Sequence, residues 1–83
     1  MTKLLTRARF AAAEAFVRDK GRPLDAALLA LQLGRGTADE ALAALVGFQN
    51  GDGGFGHGLE PDLTTPASSA IATSIGLRVL TRL

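Results

Sequence analysis

One histidine and three acids crowd a short glycine-rich stretch. His57, Glu60 and Asp62 fall in FQNGDGGFGHGLEPDL, residues 48–63 of an 83-residue chain with no other histidine and no cysteine. Imidazole and carboxylates this close in sequence are raw material for a metal site or for acid–base work. Zinc would need unusual ligands or ligands from elsewhere, so no metal and no cofactor is expected. A calcium loop fails on residue type. Counted from Gln49, Gly54 and Glu60 take the sixth and twelfth places of an EF-hand, but Gln49, Gly51 and Gly53 stand where carboxylates are needed. Gly51 to Gly56 spells G-x-G-x-x-G, the dinucleotide fingerprint. That motif works between a strand and a helix that holds a pyrophosphate, whereas here a helix precedes it and the next helix signal comes only at Pro66.

Each remaining candidate has a plain reading beside its chemical one. His57 is either a polar contact on a glycine-rich loop or a ligand contact. Glu60 and Asp62 either complement the N-terminus of the helix that follows or act as general acid and base. These two carboxylates are the candidate catalytic residues. His57, with the hydroxyls of Ser69 and Thr73, makes up the candidate ligand-binding set.

Composition excludes several classes. An 83-residue chain is one small domain at most, and without cysteine no disulfide can stabilise it. Apolar residues at 47% exclude disorder, and the lack of Trp and Tyr leaves few surfaces for stacking bases. A net charge of +1 implies no polyanionic partner, so no nucleic acid is expected. Lys3, Arg7, Arg9, Arg18, Lys20 and Arg22 do gather near the N-terminus. They read as a solvated helix face, with a nucleic-acid or membrane-surface patch as the alternative. Arg7, Arg9 and Glu14 interrupt any signal-peptide core, although an Arg-rich start also fits a transit peptide. No run approaches the ~18 apolar residues of a membrane span, so a cytoplasmic protein without a transmembrane segment is expected.

Four helices position the loop. The first is expected over residues 2–20, with Leu4, Leu5, Ala8, Ala12, Ala15 and Phe16 on one face and a Glu14–Arg18 pair. Gly21 and Pro23 stop it, and Pro23 and Asp25 open the second, which ends at Gly34-Arg35-Gly36. Thr37-Ala38-Asp39-Glu40 is a capping box for the third, which carries Leu42, Leu45, Val46 and Gln49 on one side and ends at Asn50-Gly51. Thr65-Pro66 reads as cap and first turn of the fourth, running to about Arg82. Residues 66–77 carry no charge. Ile71, Ile75, Val79 and Leu83 make one stripe of that helix, and Ser69, Thr73 and Gly76 another. A helix apolar or small on nearly every side is built to be covered on nearly every side, and three companions can hardly do that. No period-two alternation marks a strand, so the fold class is all-α.

Leu45, Gln49 and Asp52-Gly53-Gly54-Phe55, standing as LVGFQNGDGGF before a helix of small and apolar residues, resemble the repeat of the prenyltransferase and squalene-cyclase (terpenoid cyclase) family. The resemblance covers about residues 42–80. It implies helical hairpins of an incomplete α/α toroid, in which outer and inner helices alternate around an apolar cavity. The whole chain, 1–83, is then a single N-terminal segment of such a domain, and Met1 favours a genuine N-terminus. It would be completed by the remaining repeats of a longer chain or by other copies of itself. The resemblance also gives the loop a structural role. Gln49 would tie the end of one helix to the next turn, Asp52 would accept backbone N–H groups, and Gly53 and Gly54 would let Phe55 pack between helices.

The family's chemistry transfers poorly. The D-x-D-D acid of cyclases is missing, as is the cysteine of prenyltransferase zinc sites. Three functions stay open. The first is a toroid segment binding an apolar, isoprenoid-type ligand, the second a non-catalytic helical-repeat interaction module, and the third a carbohydrate-active α/α toroid using Glu60 and Asp62. An apolar groove lined by Ser69, Thr73, Gly76 and Leu80 would favour the first, a flat solvated surface the second, and converging carboxylates the third.

Overall fold

A computed structural model describes residues 6–83 and contains four helices: α1 (Arg7–Lys20), α2 (Pro23–Gln32), α3 (Ala38–Val46) and α4 (Ala70–Leu80). Among these residues there is no strand, only two single-residue antiparallel bridges. The chain is all-α. The backbone forms two compact units; the first ends at Thr37 and the second runs Ala38–Leu83.

In the first unit, Thr6 caps α1 by accepting the Arg9 N–H at 3.2 Å. The part of the first helix expected before Thr6, with Leu4 and Leu5, lies outside the described residues. The expected apolar face is displaced. Phe16 is 67% exposed, and Ala8 and Ala12 are exposed too, while Phe10, Glu14, Ala15 and Val17 are half-buried. Alanine stripes bury little area, so the larger Phe10 and Val17, two turns apart with Glu14 between them, take the covered side. Glu14 also takes another partner than the expected Arg18. The Arg35 guanidinium, from beyond α2, donates to it. A partner brought by the chain reversal supplies directed N–H groups, whereas an i, i+4 neighbour on an exposed helix contributes only tenths of a kcal/mol.

Helix α2 opens and closes by recognisable devices. The Asp25 carboxylate accepts the Arg22 backbone N–H at 3.1 Å and both arms of the Arg22 guanidinium at 3.0 and 3.1 Å. These bonds hold the Asp25 carboxyl below its usual range. At the other end Gly34 adopts φ 73°, while Arg35 donates to the Ala30 carbonyl and Gly34 to that of Leu31. This is a Schellman closure, which favours glycine at that position.

In the second unit, α3 begins at Ala38, directly after Thr37 as expected, but stops at Val46. Phe48 and Gln49 donate to Leu45 and Val46 through tighter i→i−3 bonds, so Gln49 leaves the helix instead of riding on its side. The larger correction concerns α4. Its cap is Ser69, whose hydroxyl accepts the Ala72 N–H at 3.0 Å, and not Thr65. Thr65 and Pro66 are local helix signals, but residues 65–69 are drawn aside by the loop: Thr65 accepts the His57 N–H, and Ser69 donates to the Phe55 carbonyl. Helix α4 packs through Ala72, Gly76 and Val79, a stripe that crosses both of the expected ones. The buried apolar side chains of this unit are Ala41, Leu45, Phe55, Leu59, Ala72 and Val79. Two of the six come from the loop. The α3 and α4 helices have no extensive contact of their own, and the loop is tied to the start of α4 through the bonds of Phe55 to Ser69 and Thr73.

Candidate functional site

The loop from Phe48 to Ser69 is organised around Phe55. Gly56 donates to the Phe48 carbonyl at 2.9 Å and Asn50 to that of Gly54 at 2.8 Å, so that Gln49 and Phe55 face each other. On its other side Phe55 bridges to Ser69, accepting the Ser69 N–H at 3.0 Å and donating its own N–H to the Thr73 hydroxyl at 2.9 Å. The ring is 4% exposed. It lies on Gly76, where a Cβ would come within 2.8 Å of the ring carbon Cδ2. The close approach requires glycine there.

The polar side chains close on their own loop. The Gln49 amide donates to the Gly53 carbonyl at 3.1 Å. The Asp52 carboxylate accepts the Gly54 N–H at 2.9 Å and the Ser68 hydroxyl at 2.7 Å. The Ser68 hydroxyl, and after it the Gly54 N–H, hold the Asp52 carboxyl below the ordinary carboxylate range.

Two residues to which the sequence reading gave no role prove central. Asn50 donates from Nδ2 to the Pro66 carbonyl and to Ser68 Oγ, each at 3.0 Å, and its Oδ1 lies 2.7 Å from Nε2 of His57. Ser68 joins Asn50 to Asp52. The only signal in the sequence was chemical: an Asn side chain carries donors and an acceptor, and among glycines it folds back on nearby backbone.

His57 itself is exposed and has φ 57°, the only positive φ outside glycine among the described residues. Glu60 is half-buried, and its carboxylate accepts the Asp62 N–H at 3.1 Å within a local turn. Asp62 is exposed. Among the described residues no three or more His, Asp or Glu side chains gather as a metal-binding group, so His57, Glu60 and Asp62 do not form one. Ser69 and Thr73, placed in the candidate ligand-binding set, each spend their hydroxyl on the loop–helix junction. A shallow groove on α4 is lined by Ile75, Arg78, Val79 and Arg82, none of them among the four expected to line an apolar groove. No helix among the described residues is long and apolar enough to cross a membrane.

Comparison with protein-family models, with curated proteins and with solved structures finds no match for this chain.

Proposed function

We propose that residues 42–80 form one outer–inner helix repeat of the prenyltransferase and squalene-cyclase kind, part of an α/α toroid whose cavity holds an apolar, isoprenoid-type ligand. The observation that carries this reading is the seating of Phe55 on Gly76. An aromatic ring from a Q-N-x-D-G-G-F loop is buried against the small-residue face of the next helix, while Gln49 and Asp52 close on the loop's own backbone. Such a loop is a fastener between two helices. Its polar groups are spent on architecture, which leaves binding to the helices it joins.

The helix surfaces support the same reading. Leu42 and Val46 on α3 are 41% and 56% exposed, and Ile71 and Leu77 on α4 are 60% and 55% exposed. A single exposed leucine is ordinary, but large apolar residues repeated along both helices are suited to cover by further helices and by an apolar ligand. Glu60 and Asp62 are the carboxylates this segment would bring to the cavity mouth. The segment contributes no cyclase acid of the D-x-D-D type, so its role in this reading is to bind.

The same exposed residues favour a second reading, a helical-repeat module that binds another protein. Titration with a fluorescent farnesyl analogue, with light scattering run in parallel, separates the two. Saturable binding that weakens in Ile71→Glu or Leu77→Glu supports the toroid reading. Association or partner capture through those residues, with no prenyl binding, supports the interaction module and removes the isoprenoid assignment.

A further inference from the structure

The hydrogen bonds around Asn50 have a single possible direction. A proline carbonyl can only accept, so the Asn50 atom 3.0 Å from the Pro66 oxygen must be the amide nitrogen. The amide oxygen therefore faces Nε2 of His57, 2.7 Å away. An amide oxygen also only accepts, so Nε2 must carry hydrogen. The rest of the chain runs the same way. Asn50 Nδ2 donates to Ser68 Oγ, and the Ser68 hydroxyl donates to the Asp52 carboxylate, which fixes the far end as an acceptor.

We propose that Asn50 is a positioning residue that holds His57 as its Nε2–H tautomer and leaves Nδ1 as an open proton-accepting atom, a single-point site for a hydroxyl or N–H donor on a bound molecule. Among the described residues Nδ1 has no hydrogen-bond partner, and the residue is exposed. The arrangement has a chemical consequence. The imidazolium also donates from Nε2, so a proton can arrive at or leave Nδ1 without breaking any bond in the chain to Asp52. That is the behaviour needed of a general base that must return to the same geometry. The backbone points the same way. His57 occupies a left-handed conformation between Gly56 and Gly58, a position glycine would fill without strain. Here the strained residue is the one that carries the imidazole. The inference is independent of what covers α3 and α4.

As the only histidine, His57 can be read without ambiguity. Long-range proton–nitrogen NMR at alkaline pH should show Nε2 fully protonated and Nδ1 fully unprotonated in the native protein. Asn50→Ala should move both nitrogens toward the mixed values of free histidine. Asn50→Asp gives up the donor to Pro66 and Ser68 but still offers an oxygen to Nε2, so it should keep Nε2 protonated and Nδ1 unprotonated where Asn50→Ala does not. Diethyl pyrocarbonate, which acylates unprotonated imidazole nitrogen, should modify His57 in the folded protein. A native spectrum already at the free-histidine mixture, an Nδ1–H tautomer, or an imidazole protected from the reagent would each overturn the proposal. If Asn50→Ala does not fold, as judged by circular dichroism, the native spectrum and Asn50→Asp decide the matter alone.

Discussion

The ring of Phe55 rests on the backbone of Gly76 with no room for a methyl group: a Cβ at position 76 would lie 2.8 Å from Cδ2, 2.9 Å from Cγ and 3.0 Å from Cε2. Three aromatic carbons on one face leave the ring no direction in which to yield, since it is buried and its own backbone is bonded to Ser69 and Thr73. The contact joins the loop to α4.

Gly76→Ala tests that contact by its sign. In an unconstrained helix interior, replacing glycine by alanine stabilises by roughly 1 kcal/mol. Here overpacking against a fixed ring should cost about 1–3 kcal/mol, so a net loss is expected in urea unfolding. Phe55→Leu in the same chain should recover part of it. A Gly76→Ala protein more stable than the native one would mean that the ring is not seated there.

Phe55→Ala should be far more severe. Truncating a buried phenylalanine costs about 3–5 kcal/mol, and a domain of this size has only a few kcal/mol to lose. The second unit is expected to lose cooperative unfolding altogether, read as loss of amide protection along α3 and α4 in hydrogen exchange.

Ser69→Ala and Thr65→Ala together locate the start of α4. Loss of the Ser69 cap should cost about 1 kcal/mol. The Thr65 hydroxyl accepts only a 3.3 Å bond from Ala67, and its loss should stay within roughly 0.5 kcal/mol. The reverse order would return the cap to Thr65.

Acid should weaken both units. The carboxyls of Asp25 and Asp52 are held below their ordinary pKa, Asp25 chiefly by the Arg22 guanidinium and Asp52 chiefly by the Ser68 hydroxyl. A depressed folded-state pKa adds stability that is fully present above the unfolded value, near 3.9, and fades as pH falls from there through the folded value. Stability should therefore be flat from neutrality to about pH 5 and decline below it. Asp25→Ala should flatten part of that decline and cost about 1 kcal/mol at neutral pH, through the lost helix-start bonds. Asp52→Asn should flatten another part while keeping an acceptor for Ser68. An unchanged acid limb in both variants would dissociate these carboxyls from stability.

Much of this architecture could be read directly from residue order, because its causes are local. Pro23 and Asp25 announce α2, Gly34 closes it, and Thr37 precedes α3; each acts within one turn of the residue that matters. The absence of alternating apolar residues excluded strands for the same reason. The loop's candidate groups were visible by type, and Gln49, Asp52 and Phe55 were singled out through the resemblance to a known repeat.

Tertiary structure alone decided whatever depends on partners distant in sequence. Thr65-Pro66 is a sound local start for a helix, yet α4 waits for Ser69, since the N–H of Ser69 is taken by Phe55, fourteen positions earlier in the chain. The covered side of α1 and the choice of Arg35 over Arg18 for Glu14 followed from where the chain reversal delivered bulk and charge. Asn50 and Ser68 are unremarkable letters in sequence. They became the centre of the loop because a side chain with both donors and an acceptor takes its role from the groups that folding places around it.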